Sequence, residues 1–330
     1  MARLQLSLAC WNYDRTRALQ ESRVQVDGID LTYLDLPVEE TFFRMLRNRE
    51  FDVSEMSLSS YTLSLFREDP PFIAIPVFPS RFFRHSCIYV HSESGIREPR
   101  DLIGKRIGNP EYQMTAPVWI RGILSDEYGV PITSAIYLSG GEEEPGRDEK
   151  IALSLAPEIR VEAIPRTKTL SRMIESGEID ALYTARAPST FHSGDGSVRR
   201  LFPDYLTVEQ NYYKKTGIFP IMHVIAIRRA VYEKNPWVAQ SLYKAFLIAQ
   251  KEAYQDLHET AALKTMLPWA VHHVEEVERL MGSDYWAYGL DSNVHVLNTF
   301  LRYSYEQGLS KRQLTAKELF AKETLESFKI

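Results

Sequence analysis

Strand-like and helix-like runs alternate from the N-terminus to about residue 229, and this alternation limits the fold more than any other feature. The strand-like runs are LQLSLAC, DLTYLDL, FDVSEMS, FIAIPVF, SCIYVHS, KRIGNP, SAIYLS, IRVEAIP, DALYTAR and IMHVIAIRR. Helical runs lie between them. VEETFFRMLRNR places Val38, Phe42, Met45 and Leu46 on one face at helical spacing. TAPVWIRGILSDEYG offers Thr115 as an N-cap, Pro117 in the first turn and Gly129 as a C-terminal stop. Alternation of this kind implies an α/β fold with largely parallel sheets.

A short internal echo points to two similar lobes. NREFDVSEMS (48–57) and SGEIDALYTA (176–185) share a helix end, a Glu-apolar-Asp-small step and a strand that opens into polar residues. Beyond Arg229 the chain turns helical. Asn235 caps and Pro236 starts a long stretch in which Val238, Leu242, Phe246 and Ala249 form an apolar face. A two-lobed α/β chain with a helical C-terminal region resembles the type II periplasmic-binding-protein fold. That resemblance implies a first lobe at 1–92, an inserted second lobe at 93–217, and a return to lobe one at 218–330. The crossings are expected near His91 to Gly95 and Thr216 to Phe219. A ligand is expected between the lobes, at strand carboxyl ends and helix starts.

Charge and motif content remove several classes of function. A net charge of −5 over 330 residues disfavours a nucleic-acid partner. No run reaches the eighteen or so apolar residues that a membrane helix needs. The opening MARLQLSLAC alternates polar and apolar residues rather than building a secretory signal, so a cytoplasmic protein is expected. Cys10 and Cys87, the two cysteines, are expected as free thiols. No metal is expected, because His272 and His273 are adjacent and no H-x-x-x-H or H-E-x-x-H occurs. LSGGEEEPG (138–146) is glycine-rich but acidic, lacks the Lys-Ser/Thr ending of a phosphate loop, and reads as an exposed loop. The sequence leaves a homo-oligomer open.

The loops expected to face a ligand are rich in chemistry. After the first strand come Trp11, Asn12 and Tyr13, which can stack on a ring and hydrogen-bond to it. The third strand ends in Glu55, Ser57, Ser59 and Ser60 at a helix start, where free N–H groups favour an anion or the serines act as caps. FPSRFFRH crowds Arg81, Arg84 and His85 among Phe78, Phe82 and Phe83. That crowding is either a solvated strand edge or part of a pocket for a flat anion, since arginine binds carboxylates with a two-pronged fork. GNPEYQMTAP adds Asn109, Tyr112, Gln113, Met114 and Thr115, DALYTAR adds Arg186, and GIFPIMH adds His223. A small aromatic dicarboxylate suits this set.

LACWNYDRTRAL, LPVEETFFRML, FDVSEMSLSSY, IPVFPSRFFRHSCIYV, GNPEYQMTAPVWIRGIL, DALYTARAPS and GIFPIMHVIAIRR together resemble the 4,5-dihydroxyphthalate decarboxylase family. The resemblance runs from about residue 3 into the C-terminal helices. It implies conversion of 4,5-dihydroxyphthalate to protocatechuate and carbon dioxide with no organic cofactor. Direct loss of carbon dioxide would leave an aryl carbanion in the ring plane, where the π system cannot stabilise it. Protonating the ring carbon first avoids that state. Arg81, Arg84 and Arg186 are then candidates for a carboxylate clamp, Glu55 or a histidine for the base, and His85 or His223 for the acid. The alternative is a solute-binding protein without chemistry.

Overall fold

The computed structural model describes residues 3–194 and 196–326. The described residues form eleven strands: β1 (Leu4–Cys10), β2 (Ile29–Asp35), β3 (Val53–Ser57), β4 (Phe72–Ile75), β5 (Ile88–His91), β6 (Arg106–Asn109), β7 (Ile136–Ser139), β8 (Arg160–Ala163), β9 (Ala181–Tyr183), β10 (Val198–Arg200) and β11 (His223–Arg228). They build two sheets, ordered β2-β1-β3-β11-β4 and β10-β5-β9-β6-β7-β8.

The first compact unit comprises 1–81, 221–297 and 315–330, and the second comprises 82–220 and 298–314. The first crossing therefore falls at Arg81 to Phe82, ahead of the expected His91 to Gly95. The reason is β5, which pairs with β9 and β10 in the second sheet. Both sheets are mixed rather than largely parallel. β1 runs parallel to β2 and β3, but β11 runs antiparallel to β3 and β4. In the second sheet β5 lies antiparallel to β9 and β10, while β6 runs parallel to β7 and β9.

The internal echo is a structural repeat. β3 lies between parallel β1 and antiparallel β11, and β9 lies between parallel β6 and antiparallel β5. The shared aspartate has the same task in each unit. The carboxylate of Asp52 accepts the Ser7 N–H at 3.0 Å, and its carbonyl accepts the Arg228 N–H at 2.8 Å. The carboxylate of Asp180 accepts the Arg106 N–H at 2.8 Å, and its carbonyl accepts the His91 N–H at 3.0 Å. One acidic residue thus ties the start of a buried strand to both its neighbours, which satisfies backbone groups that would be costly to leave bare.

Helices cover the sheets as their apolar faces require. Val38–Asn48 buries Phe42, Met45 and Leu46, leaving Val38 half-buried. Trp237–Leu257 buries Val238, Leu242, Phe246 and Ala249 completely. The helix Thr115–Tyr128 starts one residue earlier than a Thr115 cap would give, with Met114 at the N-cap, and Gly129 ends it at φ 66°. In the second unit Gly122 lets the Tyr303 ring approach so closely that an added Cβ would lie 2.2 Å from it. Trp119 packs on the same segment, 5.5 Å from Phe300 and 5.6 Å from Tyr303 between ring centres. This contact explains why 298–314 belongs with the second unit, an association that linear sequence does not display.

Candidate active site

β3 is buried along its whole length, yet it carries Glu55. At the matching position of the repeat the second unit has Tyr183, and burying an unpaired carboxylate there would be costly. Glu55 is not unpaired. Its Oε1 accepts the Tyr13 hydroxyl at 2.7 Å and lies 2.6 Å from His223 Nδ1. Its Oε2 accepts the Trp11 N–H at 3.1 Å and faces Cys10 Sγ at 3.6 Å.

Sheet register creates this meeting. His223 is opposite Ser57 and Ile225 is opposite Glu55 on antiparallel β11 and β3. Residues two apart on a strand share a face, so Glu55 and His223 are diagonal neighbours on one side of the sheet. Tyr13 follows β1, which runs parallel to β3. The group therefore gathers at the carboxyl end of the parallel strands, where α/β sheets commonly place ligands. Tyr33 braces the loop by donating to the Trp11 carbonyl at 2.9 Å and to Thr16 Oγ1 at 3.0 Å.

The electrostatics give each member a distinct state. Burial pushes the Glu55 carboxyl up, but the His223 charge and the His223, Tyr13 and Trp11 hydrogen bonds outweigh it, so the group is held below the usual carboxylate range. Burial, with the Glu55 charge next, pushes the Tyr13 hydroxyl and the Cys10 thiol up, so both keep their protons. His223 Nδ1 donates to Glu55 as its N–H. Nε2 makes no hydrogen bond among the described residues and stays available. Phe42 packs edge-on against the imidazole at 4.9 Å.

The other expected residues occupy different surroundings. Asn12 is exposed, with its Oδ1 3.4 Å from Arg17 Nε. Ser57 caps the short helix Leu58–Ser64 by accepting the Ser60 N–H, and the Leu58 N–H goes to the Met222 carbonyl. Ser59 is buried within that helix. Ser57 thus acts as a cap, and these two N–H groups are taken up within the fold.

FPSRFFRH carries the chain from the first unit into the second. Arg81 is buried over the Phe78 ring and donates to the Ala287 carbonyl at 2.7 Å and to the Asn293 side chain. Arg84, in the second unit, is buried over the Phe82 ring and reaches the Ala185 carbonyl at 3.4 Å. Backbone carbonyls and rings hold both arginines in the folded core. His85 is also in the second unit and is 1% exposed, boxed by Tyr128, Phe202 and Tyr212. Neither of its ring nitrogens has a hydrogen-bond partner among the described residues. Burial pushes its pKa down to about 4.

His85 therefore predicts an acid sensitivity. Near neutral pH the imidazole carries no charge in either state. As pH falls from about 6.5, the usual histidine value, the unfolded chain takes up a proton that the folded chain refuses until about pH 4. Stability should fall through that window by on the order of 3 kcal/mol. Urea unfolding at about pH 5 and about pH 7.5 should show a smaller difference for His85→Phe than for the parent. An equal difference in both would count against a neutral buried His85.

The remaining second-unit residues also serve internal networks. Arg121, fully buried, lies 3.9 Å from the Tyr112 ring centre and donates to Asn109 Oδ1 at 3.0 Å and Gln307 Oε1 at 2.7 Å. Tyr112 donates to the Gln307 carbonyl at 3.2 Å, and Gln113 donates to Glu111 at 2.6 Å. Buried Glu111, which sequence reasoning missed, also binds Arg147 and Lys150. Thr115 is buried in the first helical turn. Arg186 is exposed, and its side chain makes no hydrogen bond or ion pair among the described residues. The acidic 138–146 loop is only partly exposed, because Gly140 and Gly141 are buried and Glu143 accepts the Ser189 N–H at 2.7 Å. Among the described residues no group of three or more His, Cys, Asp or Glu is placed to hold a metal ion. Among them, too, no helix is long and apolar enough to cross a membrane.

No family model matches the chain. A curated 4,5-dihydroxyphthalate decarboxylase from Comamonas testosteroni is 44% identical over 330 residues, covering all of both chains. The chain belongs to the 4,5-dihydroxyphthalate decarboxylase family. A second member, from Pseudomonas putida, is 45% identical over 214 residues, which covers 65% of this chain and 83% of the relative. Among solved structures, the alkanesulfonate-binding protein of Xanthomonas axonopodis superimposes with a TM-score of 0.52 at 13% identity, over 97% of this chain and 98% of its own. The periplasmic aliphatic sulphonate binding protein of Escherichia coli gives 0.51 at 12%, over 98% and 99%. At such identities the likeness concerns the fold, which is periplasmic-binding-protein-like, as its α/β pattern suggested.

Within the WNYDRTR segment lies a cation that sequence reasoning passed over. Arg15 is 4.1 Å from the Tyr13 ring centre and 4.3 Å from that of Trp286, and Nε donates to the Pro79 carbonyl at 2.6 Å. Its position two residues after Tyr13, at a helix start, gave no sign of this stacking.

Proposed function

We propose that the chain decarboxylates 4,5-dihydroxyphthalate to protocatechuate and carbon dioxide, with His223 as the proton donor and Glu55 as the group that orients it. Full-length identity of 44% to a curated 4,5-dihydroxyphthalate decarboxylase supports the reaction, and the Glu55–His223 contact supports the assignment of roles.

The carboxylate fixes the imidazole through Nδ1, leaving Nε2–H to meet the ring carbon that bears the departing carboxylate. That carbon takes the proton. The hydroxyl para to it donates electron density into the ring and stabilises the intermediate. The bond to the carboxyl carbon then breaks, carbon dioxide leaves, and its bonding pair restores the aromatic ring. His223 ends neutral and regains a proton from solvent. Glu55 is a poor donor because its carboxyl is held ionised, and it is a poor base toward the phenol because Trp11, Tyr13 and His223 occupy its oxygens. His85 lacks an open face and is left out of this scheme.

The reaction on this reading needs no organic cofactor and no metal. Purified protein dialysed against a strong chelator and given 4,5-dihydroxyphthalate should release carbon dioxide and protocatechuate at the undialysed rate. Binding without turnover would favour a solute-binding role. Loss of turnover with recovery on adding a divalent ion would overturn the metal-free reading.

A further inference from the structure

We infer that the pocket beside Arg15 is a binding site for a hydroxylated single-ring aromatic monocarboxylate, separate from the Glu55–His223 group. It lies within the first unit and has a volume of about 130 Å³. An enclosed apolar cavity of about 150 Å³ holds benzene; this pocket is slightly smaller but open to solvent on one side, so it takes no more than a single ring, with the polar substituents at its mouth. Ala253 and Leu257 give an aliphatic floor, and Tyr254, Tyr285 and Trp286 give aromatic walls. The walls are firmly set. Tyr254 and Tyr285 meet edge to face at 5.2 Å, the Tyr254 hydroxyl accepts the Trp286 N–H at 2.9 Å, and Gln250 donates to the Trp286 carbonyl at 2.7 Å.

Arg15 supplies the charge. Its side chain is only 17% exposed, and the guanidinium stacks on Tyr13 and Trp286. Nε is committed to Pro79 and Nη1 to Asp14 at 2.9 Å, while Nη2 makes no hydrogen bond among the described residues. A partly desolvated guanidinium edge beside aromatic walls is the chemistry that selects an aromatic carboxylate. Asp14, half-exposed at the rim, repels a second carboxylate and can accept a ring hydroxyl. One carboxylate is therefore admitted and two are disfavoured. The product of the proposed reaction has this form, and the choice of ligand rests in part on that reading. Because Arg15 also stacks on Tyr13, whose hydroxyl bonds to Glu55, an occupant touches the catalytic group through one residue.

The probe is 3,4-dihydroxybenzoate, with binding followed by calorimetry in the absence of substrate. The parent should bind it. Ala253→Phe, which fills the floor, should abolish binding, and Arg15→Gln should weaken it by roughly tenfold to a hundredfold, the loss of one charged hydrogen bond. In initial-rate assays with 4,5-dihydroxyphthalate, Ala253→Phe should keep the parent rate but lose inhibition by 3,4-dihydroxybenzoate, and parent inhibition should be non-competitive. No binding to the parent at millimolar probe, equal binding to Ala253→Phe, or purely competitive inhibition would each overturn the site. Absence of any turnover by the parent would instead count against the decarboxylase reading, because the calorimetry does not depend on it.

Discussion

His223→Gln should bind a phthalate-type dianion about as well as the parent and turn it over far more slowly. His223 Nε2 is unengaged among the described residues, whereas Tyr13 and Cys10 keep their protons at neutral pH. Removing a positioned general acid typically lowers a rate by about 10²–10⁴-fold. Glutamine retains a donor toward Glu55, so the surrounding packing is preserved and any loss belongs to the proton transfer. The measurement is a single-turnover rate for 4,5-dihydroxyphthalate beside an equilibrium affinity for phthalate. A parent-like rate in His223→Gln would remove it from the acid's role. A loss confined to affinity would make it a binding residue.

Much of the architecture was legible because it depends on local pattern. Alternating periodicities marked the α/β class, and the Asp52 and Asp180 echo marked a repeat whose two aspartates tie equivalent strands. The crossing point was not legible. SCIYVHS reads as a strand wherever it pairs, and only its pairing with β9 and β10 assigns it to the second unit. Glu55 was visible as a charge in an otherwise small and apolar strand, and His223 as a polar residue opening the return strand. The surroundings of Arg81, Arg84 and His85 were hidden for the opposite reason. Arginines among phenylalanines look like an anion pocket, but backbone carbonyls such as those of Ala287 and Ala185 hold these guanidiniums, and no residue type encodes a carbonyl's position. Arg15 was hidden because its aromatic partner Trp286 is 271 residues away in sequence.

Glu55→Gln should lower turnover to about the level of His223→Gln, and the double variant should be little worse than either. Groups that act as one unit show this non-additivity, because removing the orienting carboxylate leaves the imidazole without its charge partner and fixed tautomer. Independent roles would instead multiply, and a double variant slower by the product of the two single losses would sink the Glu55–His223 assignment. Stability separates orientation from simple structural support. Glu55→Ala strips an acceptor from Trp11, Tyr13 and His223 inside a buried strand, and breaking a buried pair of this kind costs about 3–5 kcal/mol. Glu55→Gln keeps the shape and one acceptor, so it should unfold closer to the parent while still failing in turnover. The acid side should differ as well. The Glu55 carboxyl is held below its ordinary range in the folded chain, so its contribution is present above the unfolded carboxylate pKa and is lost as pH falls through the folded value. Glu55→Gln has no such proton to take up and should lose less stability over that acid range than the parent does. Equal acid losses in both proteins would mean that Glu55 is not held ionised, and the case for His223 rather than Glu55 as the proton donor would fall with it.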